Sequence, residues 1–313
     1  MIIQKILVLS GVLQKRIWGG YYFRDVLNIT DSNEAYGEYW TLSAHPHGES
    51  IIVNGELKGK KLSDVYSEHR YLFANIKNER FPLLVKYIDA ADDLSVQVHP
   101  GDSYAQEYEN EYGKNEFWYV LDCTPDANLI LGHNAATKDE LIRLINENKF
   151  DKLLKKRNIK KGDYFFIKDG IVHAICKGTI ILEIQQSSDV TYRIYDYNRT
   201  DKWGKRRELH LEKAIDVIKV NQCLEIEKSF VINNGDSKIY QLTDNQYFKT
   251  YRYDIDKGVL INNSNHTFYL GTVINGEPLV EDTRLIPGQS FIITSIADKV
   301  LIRGKSEIII STL

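Results

Sequence analysis

A seven-residue stretch, LSVQVHP at residues 94–100, has the alternation of a β-strand with two unlike faces. Successive side chains of a strand point to opposite sides, so the two valines share one face while Ser95, Gln97 and His99 share the other. The valine face predicts contact with a hydrophobic core. The opposite face carries a hydroxyl, an amide and an imidazole, which together are typical of a polar pocket or a metal site.

The preceding run, FPLLVKYIDA at residues 81–90, is almost continuously apolar, which is typical of a strand buried on both faces. Lys86 interrupts it, and a buried lysine costs several kcal/mol unless it is paired. Because the next strand carries the polar face, we predict that Lys86 reaches the same pocket rather than extending to the edge of the sheet.

Charge and cysteine content restrict the class of protein. The chain has 313 residues and a net charge of −3, which gives no electrostatic reason to expect nucleic acid or an anionic membrane as a partner. No apolar run reaches the roughly 18 residues of a transmembrane helix. Cys123, Cys176 and Cys223 lack CxxC spacing and indicate reduced thiols. We therefore expect a cytoplasmic protein that binds neither nucleic acid nor membrane, and no feature favours a particular oligomeric state.

Short strand patterns and turns dominate the chain, with three helical segments among them. The helices are predicted near residues 61–73, 137–156 and 208–220. The second helix opens on the capping box TKDE and is expected to end in the basic KKR at residues 155–157. We predict a mainly β fold with helical insertions.

The pattern from about residue 236 onward consists of short strands and turns alone. We therefore predict two units: a catalytic domain over residues 1–235 and a small C-terminal β domain over residues 236–313.

The segment AHPHGE at residues 44–49 contains two histidines with the HxH spacing of a ligand pair. Pro46 and Gly48 favour a turn there, and Glu49 is the one carboxylate close by. A structural or substrate-lining role is therefore favoured over metal binding.

Four other polar residues fall on pocket faces: Gln97, His99, Glu116 and His173. Two imidazoles, a carboxylate and an amide oxygen form a ligand set that suits Zn²⁺, and also Fe²⁺ or Mn²⁺. Each residue alone has a simpler interpretation, as a hydrogen-bonded core histidine or a carboxylate at the rim. Their combination is what predicts a metal site.

Two segments resemble the half-motifs of cupin barrels. GDYFFIKDGIVH at residues 162–173 resembles the second half-motif, in which a tight turn aims a histidine into the barrel. QVH at residues 97–99 resembles the first half-motif, with glutamine in place of its first histidine. The carboxylate of the motif comes later in the chain, at Glu116. Lys168 stands where cupins often have proline. The resemblance implies a cupin-type jelly-roll barrel.

Longer segments resemble class I mannose-6-phosphate isomerase in its short bacterial form. They are RIWGG (16–20), EYWTLSAHP (38–46), LSVQVHP (94–100), KNEFWYVL (114–121), the segment 162–173 and the spacing from Glu183 to Arg193. The resemblance implies a zinc enzyme, with one Zn²⁺ per chain, that interconverts the sugar phosphates mannose 6-phosphate and fructose 6-phosphate.

The resemblance also implies residue roles. The zinc ligands would be Gln97, His99, Glu116 and His173. Catalytic residues would be Arg193, Lys114 and Glu183, and Ser95 and Lys86 would line the substrate and phosphate site. Arg199 falls at a pocket position as well.

Aldose–ketose isomerisation passes through an enediol, so negative charge that develops on oxygen must be stabilised by the metal and by cations such as Arg193. Because arginine stays protonated, the candidates for the base are Glu183, Lys114 or a water on the metal. Two alternatives remain at this point: a cupin iron oxygenase that uses His99, Glu116 and His173, and a non-catalytic sugar-binding cupin.

Overall fold

The computed structural model describes residues 4–201, 203–220 and 229–313. The strands are β1 (Ile6–Ser10), β2 (Val12–Gln14), β3 (Glu38–Leu42), β4 (Ala44–His45), β5 (Gly48–Glu49), β6 (Ile51–Ile52), β7 (Leu83–Ala90), β8 (Val96–Val98), β9 (Glu116–Cys123), β10 (Asn128–His133), β11 (Leu154–Asn158), β12 (Tyr164–Ile167), β13 (His173–Ile175), β14 (Thr179–Gln186), β15 (Tyr192–Tyr195), β16 (Phe230–Asn234), β17 (Ser237–Asp244), β18 (Lys249–Ile255), β19 (Gly258–Asn262), β20 (Tyr269–Gly276), β21 (Leu279–Val280), β22 (Thr283–Arg284), β23 (Ser290–Ile293), β24 (Lys299–Arg303) and β25 (Ser306–Thr312). The helices are α1 (Tyr22–Asp25), α2 (Leu62–Glu68), α3 (Asp102–Glu109), α4 (Lys138–Asn146), α5 (Phe150–Leu153) and α6 (Leu211–Val217), with a 3-10 helix at Arg70–Phe73. The prediction of a mainly β fold is confirmed.

Two antiparallel sheets enclose the predicted pocket. One has the strand order β12-β9-β14-β7-β3-β2 and the other the order β11-β10-β13-β8-β15. A hydrophobic cluster joins their inner faces, with Ile88 and Ile181 from the first sheet and Leu129 and Ile175 from the second. The sheets therefore form a barrel-like sandwich with a shared interior.

The inner face of the first sheet changes character along its strands. On β7 the side chain of Lys86 precedes that of Ile88 on the same face, and on β14 that of Glu183 follows that of Ile181. Both isoleucines lie in the hydrophobic cluster, and Ile88 also borders the cavity that Lys86 and Glu183 line. One end of the interior is thus apolar, and the other end is polar.

Strand β8 has the two faces that its alternation predicts. Val96 and Val98 are fully buried in a second cluster, against Leu141 and Leu144 of α4 and other apolar residues. Ser95 and Gln97 line the cavity instead. The helical insertions thus cover the outer face of the strand that carries the polar residues.

An eight-stranded sheet with the order β16-β17-β18-β25-β20-β23-β1-β6 contains strands from both ends of the chain. Strand β1 pairs antiparallel with β23, with Ile6 opposite Ile293. The predicted boundary between residues 235 and 236 stays a prediction.

Helix α4 begins as predicted, but its segment ends earlier. The side chain of Thr137 accepts a hydrogen bond from the Glu140 N–H at 3.1 Å, which confirms the capping box. The expectation of helix up to residues 156–157 is wrong, because residues from Leu154 onward form β11 and pair with β10. The basic residues there are exposed at the edge of a sheet, where lysine discourages pairing with another strand.

Cys123 and Cys176 are free thiols, and Cys176 is buried. Cys223 lies outside the described residues. The helices of the described chain are each too short or too polar to span a membrane.

Candidate active site

Three of the predicted metal ligands lie together at the polar end of the barrel. Nε2 of His99 lies 3.0 Å from Oε1 of Glu116 and 3.2 Å from Nε2 of His173. One ligand atom from each residue falls within 4.8 Å of the others, and each side chain is only 1% exposed. In the part of the chain that the structure describes, this is the one such group of three His, Cys, Asp or Glu residues.

Strand pairing and a tight turn bring these ligands together. His173 begins β13 and lies opposite Gln97 of β8. The turn before it contains Gly170 at φ +78°, where a Cβ would lie 2.8 Å from the backbone oxygen of Val217. The Gly170 N–H donates to the His99 carbonyl at 2.9 Å. The turn therefore needs glycine, and it fixes the two histidine-bearing segments against each other.

The protonation states suit a metal. Burial, together with the Lys114 charge, lowers the pKa of His99 to about 3, and burial also lowers the pKa of His173. Nδ1 of His173 lies 2.9 Å from the Ile171 carbonyl, to which it can donate, so Nε2 keeps a lone pair. Burial opposes the charge of Glu116, but the Lys114 ammonium holds its pKa well below the usual range. Two neutral imidazoles and a carboxylate are the donors that zinc prefers.

Gln97 reaches the same place. Its amide nitrogen lies 3.4 Å from Nε2 of His173. Because a half-turn of the amide exchanges its nitrogen and oxygen, Gln97 can present its oxygen there. The four residues predicted as ligands are therefore neighbours.

A second carboxylate faces the ligand cluster. On adjacent strands, Glu183 lies opposite Lys86, with 3.1 Å between Oε1 and Nζ. Burial and then the Glu116 charge raise the pKa of Glu183 to about 7. Burial opposes the charge of Lys86, but Glu183 and Glu38 raise its pKa above the ordinary value, so it stays charged.

A cavity of about 380 Å³ opens onto these groups. Seven of the nine predicted site residues line it: Lys86, Ser95, Gln97, Lys114, Glu116, Glu183 and Arg193. Nε of Arg193 donates to Oγ of Ser95 at 3.3 Å. Nζ of Lys114 lies 3.2 Å from Oε1 of Glu116. The structure thus brings the predicted set to one place, with His99 and His173 behind the lining.

The placement of Arg199 in this pocket is wrong. Its guanidinium donates to Oδ1 of Asp196 at 2.7 Å and also lies 3.4 Å from Asp92. It lines a neighbouring small cavity. Arg207, which donates to both oxygens of Asp196, at 2.5 Å to Oδ1 and 2.8 Å to Oδ2, does line the main cavity.

Several lining residues were absent from the prediction. Arg16 binds Glu38 at 2.9 Å, and Trp40 donates its indole N–H to the same carboxylate at 2.7 Å. Arg16 and Glu38 line the cavity and belong to the segments 16–20 and 38–46 that resemble the family, so the resemblance could have identified them. Asp189 lies in a loop without strand alternation, and no local pattern indicates it.

The two histidines of segment 44–49 do not join the metal-ligand cluster. The predicted turn is present: His45 ends β4, and His47 lies in the turn that leads to β5. Nδ1 of His47 lies 3.0 Å from Oδ2 of Asp189, at the rim of the cavity. Glu49 accepts a hydrogen bond from Ser63 at 2.5 Å. His47 therefore lies at the rim of the cavity, outside the metal-ligand cluster.

Comparisons with family models, curated relatives and solved structures all identify the same family. Residues 6–122 match the model for the catalytic domain of type I phosphomannose isomerase, and residues 238–313 match that for the mannose-6-phosphate isomerase cupin domain. Among curated relatives from Bacillus subtilis, the probable mannose-6-phosphate isomerase GmuF is 41% identical over 97% of this chain and 98% of its own length. Mannose-6-phosphate isomerase ManA is 43% identical over 87% of this chain and 86% of its own length.

A crystal structure of mannose 6-phosphate isomerase from Bacillus subtilis superimposes with a TM-score of 0.95. It is 38% identical and covers 99% of this chain and 100% of its own. This match, with the cupin-domain match, confirms the predicted cupin-type β fold and the resemblance drawn from the motifs.

Proposed function

This chain belongs to the type I phosphomannose isomerase family, and from that premise we propose that it is a zinc-dependent enzyme that interconverts mannose 6-phosphate and fructose 6-phosphate. The observation that carries the zinc site is the buried cluster of His99, Glu116 and His173 beside a cavity lined by lysine and arginine. Family membership favours an isomerase over an iron oxygenase or a non-catalytic sugar-binding cupin.

His99, Glu116 and His173 would hold the metal, with Gln97 as a fourth ligand. A zinc ion held there would supply a Lewis acid for substrate oxygens on which negative charge develops. The neutral state of both imidazoles supports this assignment, because a protonated histidine cannot ligate.

Glu183 is the group that we assign to proton transfer between C1 and C2, through an enediol. Its pKa of about 7 allows it both to accept and to return a proton near neutral pH. The charged Lys86 ammonium, 3.1 Å from Oε1, pairs with this carboxylate. Lys114 adds a second cation next to Glu116.

Ser95 and Lys86 are proposed to contact the substrate phosphate, and the guanidinium of Arg193 adds its charge next to Ser95. A phosphate anchored at these groups supplies binding energy and orientation away from the reacting carbons. The cavity lining contains more cationic side chains than carboxylates, which supports an anionic substrate: Arg16, Lys86, Lys114, Arg193 and Arg207 against Glu38, Glu116, Glu183 and Asp189.

A coupled assay for fructose 6-phosphate formation tests the proposal. We expect turnover of mannose 6-phosphate without oxygen consumption, loss of turnover with a chelator, and recovery when zinc is returned. Failure to convert mannose 6-phosphate in the presence of zinc would overturn the proposed function. Activity that survives complete removal of metal would overturn the zinc requirement.

A further inference from the structure

Trp118 connects the two carboxylates of the site. It lies two residues after Glu116 on β9 and directly opposite Glu183 on β14. Its indole Nε1 lies 3.1 Å from Oε2 of Glu116 and 3.1 Å from Oε2 of Glu183. Because an indole has a single N–H, both carboxylates share one hydrogen.

The second oxygen of each carboxylate faces a lysine. Lys114 lies 3.2 Å from Oε1 of Glu116, and Lys86 lies 3.1 Å from Oε1 of Glu183. Each carboxylate therefore has a cation on one oxygen and the shared indole donor on the other. The indole carries no charge and does not titrate, so it can fix how the carboxylates are arranged without changing the net charge of the site.

The ring of Trp118 makes a further contact with the ligand cluster. It packs edge-on against the imidazole of His173, with 5.4 Å between ring centroids and 79° between the planes. The side chain is 1% exposed. A tryptophan that serves only the core needs a single acceptor for its N–H. Sharing between two active-site carboxylates is the observation that distinguishes Trp118 from such a residue.

We propose that Trp118 is a positioning residue for the isomerisation, which holds the Glu183 carboxylate in place beside Glu116 through its shared N–H. This inference rests on the proposed function, in which Glu183 transfers the proton. Loss of the N–H leaves Oε2 of Glu183 without this donor, so the carboxylate can turn away from the substrate carbons. Substrate affinity depends on other residues, chiefly those around the phosphate.

Two changes at Trp118 separate the N–H from the volume of the ring. Site-specific replacement by benzothienylalanine puts sulfur in place of the N–H and keeps the bicyclic ring. Trp118→Phe removes the N–H and also part of the ring. The same two replacements at Trp203, which is 78% exposed, serve as the matched control.

At saturating zinc, both Trp118 variants should lose about tenfold or more in kcat, the usual cost of removing a partner that orients a site residue. KM should stay within about twofold of the wild-type value, since ground-state binding is unchanged. The Trp203 variants should keep the wild-type values. An unchanged kcat in the benzothienylalanine variant would overturn the inference. Full recovery of kcat on addition of excess zinc would overturn it too, because the indole would then affect only metal binding through Glu116 and not the position of Glu183.

An ¹⁵N NMR measurement of the indole N–H groups tests the contact without turnover. The Trp118 resonance is identified by its loss in Trp118→Phe, and it should shift in Glu183→Gln of the zinc-loaded protein. A resonance that does not respond to Glu183→Gln would overturn the inference. Wild-type enzyme that converts no mannose 6-phosphate would instead overturn the proposed function, and the NMR result would still decide whether Trp118 binds Glu183.

Discussion

Lys86 and Glu183 form a buried ion pair on adjacent antiparallel strands, with 3.1 Å between Nζ and Oε1. Their exposed side-chain fractions are 7% and 3%. A buried pair of this kind contributes little net stability while it is intact, but removal of one partner leaves an unpaired buried charge. Glu183 on the adjacent strand β14 thus explains why a lysine can interrupt the apolar strand β7.

Lys86→Met should therefore destabilise the protein, by about 3–5 kcal/mol, because Glu183 would lose its cation. Urea unfolding measures the effect. Lys60→Met removes one partner of an exposed pair with Glu68 and should cost less than about 1 kcal/mol. An equal cost for both variants would contradict the burial of the Lys86 pair.

The pH dependence of turnover should follow Glu183. Its pKa is raised to about 7, so the carboxyl is protonated below that pH and cannot accept a proton from the substrate. Turnover should therefore rise with pH through about 7 and level off above it. Glu183→Gln should lower kcat on the order of a hundredfold and abolish this rise of turnover with pH. Glu68→Gln, at an exposed position, should leave the pH dependence of turnover unchanged. A rise of turnover through pH 7 that persists in Glu183→Gln would exclude Glu183 as the titrating group.

Metal content should depend on His99. His99→Ala removes one imidazole from the three-residue cluster, so the purified variant should contain much less than one zinc per chain. His133→Ala, at a buried histidine of β10 outside the cluster, should retain the metal. Elemental analysis of both proteins distinguishes a ligand from a histidine that only packs. Full zinc occupancy in His99→Ala would count against the ligand set.

Arg193→Ala should keep its zinc and lose turnover. The guanidinium lies in the cavity next to Ser95 and outside the metal cluster, so its loss removes a cation without removing a ligand. We expect kcat/KM to fall by about a hundredfold or more, as for other preorganised donors. Arg143→Ala, on the exposed face of α4, is the control. Undiminished turnover in Arg193→Ala would remove Arg193 from the mechanism.

The sequence predicted features that depend on local pattern. The two faces of β8 follow from strict alternation, and the capping box at Thr137 follows from two residues three apart. The predicted helical end at residues 155–157 was wrong because a basic cluster is compatible both with the last turn of a helix and with an exposed edge strand.

Other features depend on contacts between distant segments, which local pattern does not contain. Asp189 joins the cavity through a loop, and Trp118 meets Glu183 only because β9 and β14 pair in one particular register. A shift of that register by one residue would turn the indole to the opposite face of the sheet. The family resemblance named residues that the structure brings together, whereas their hydrogen bonds could be identified only from the structure.

The pairing of β1 with β23 has a consequence for biosynthesis. Residues 6–9 pair with residues 290–293, which are synthesised about 280 residues later. The eight-stranded sheet therefore cannot close until residues 290–293 have been made, and until then β1 lacks its β23 partner along one apolar edge. Nascent chains that stall or terminate before residue 290 should be prone to aggregation and dependent on chaperones, even when every residue that lines the catalytic cavity has been made.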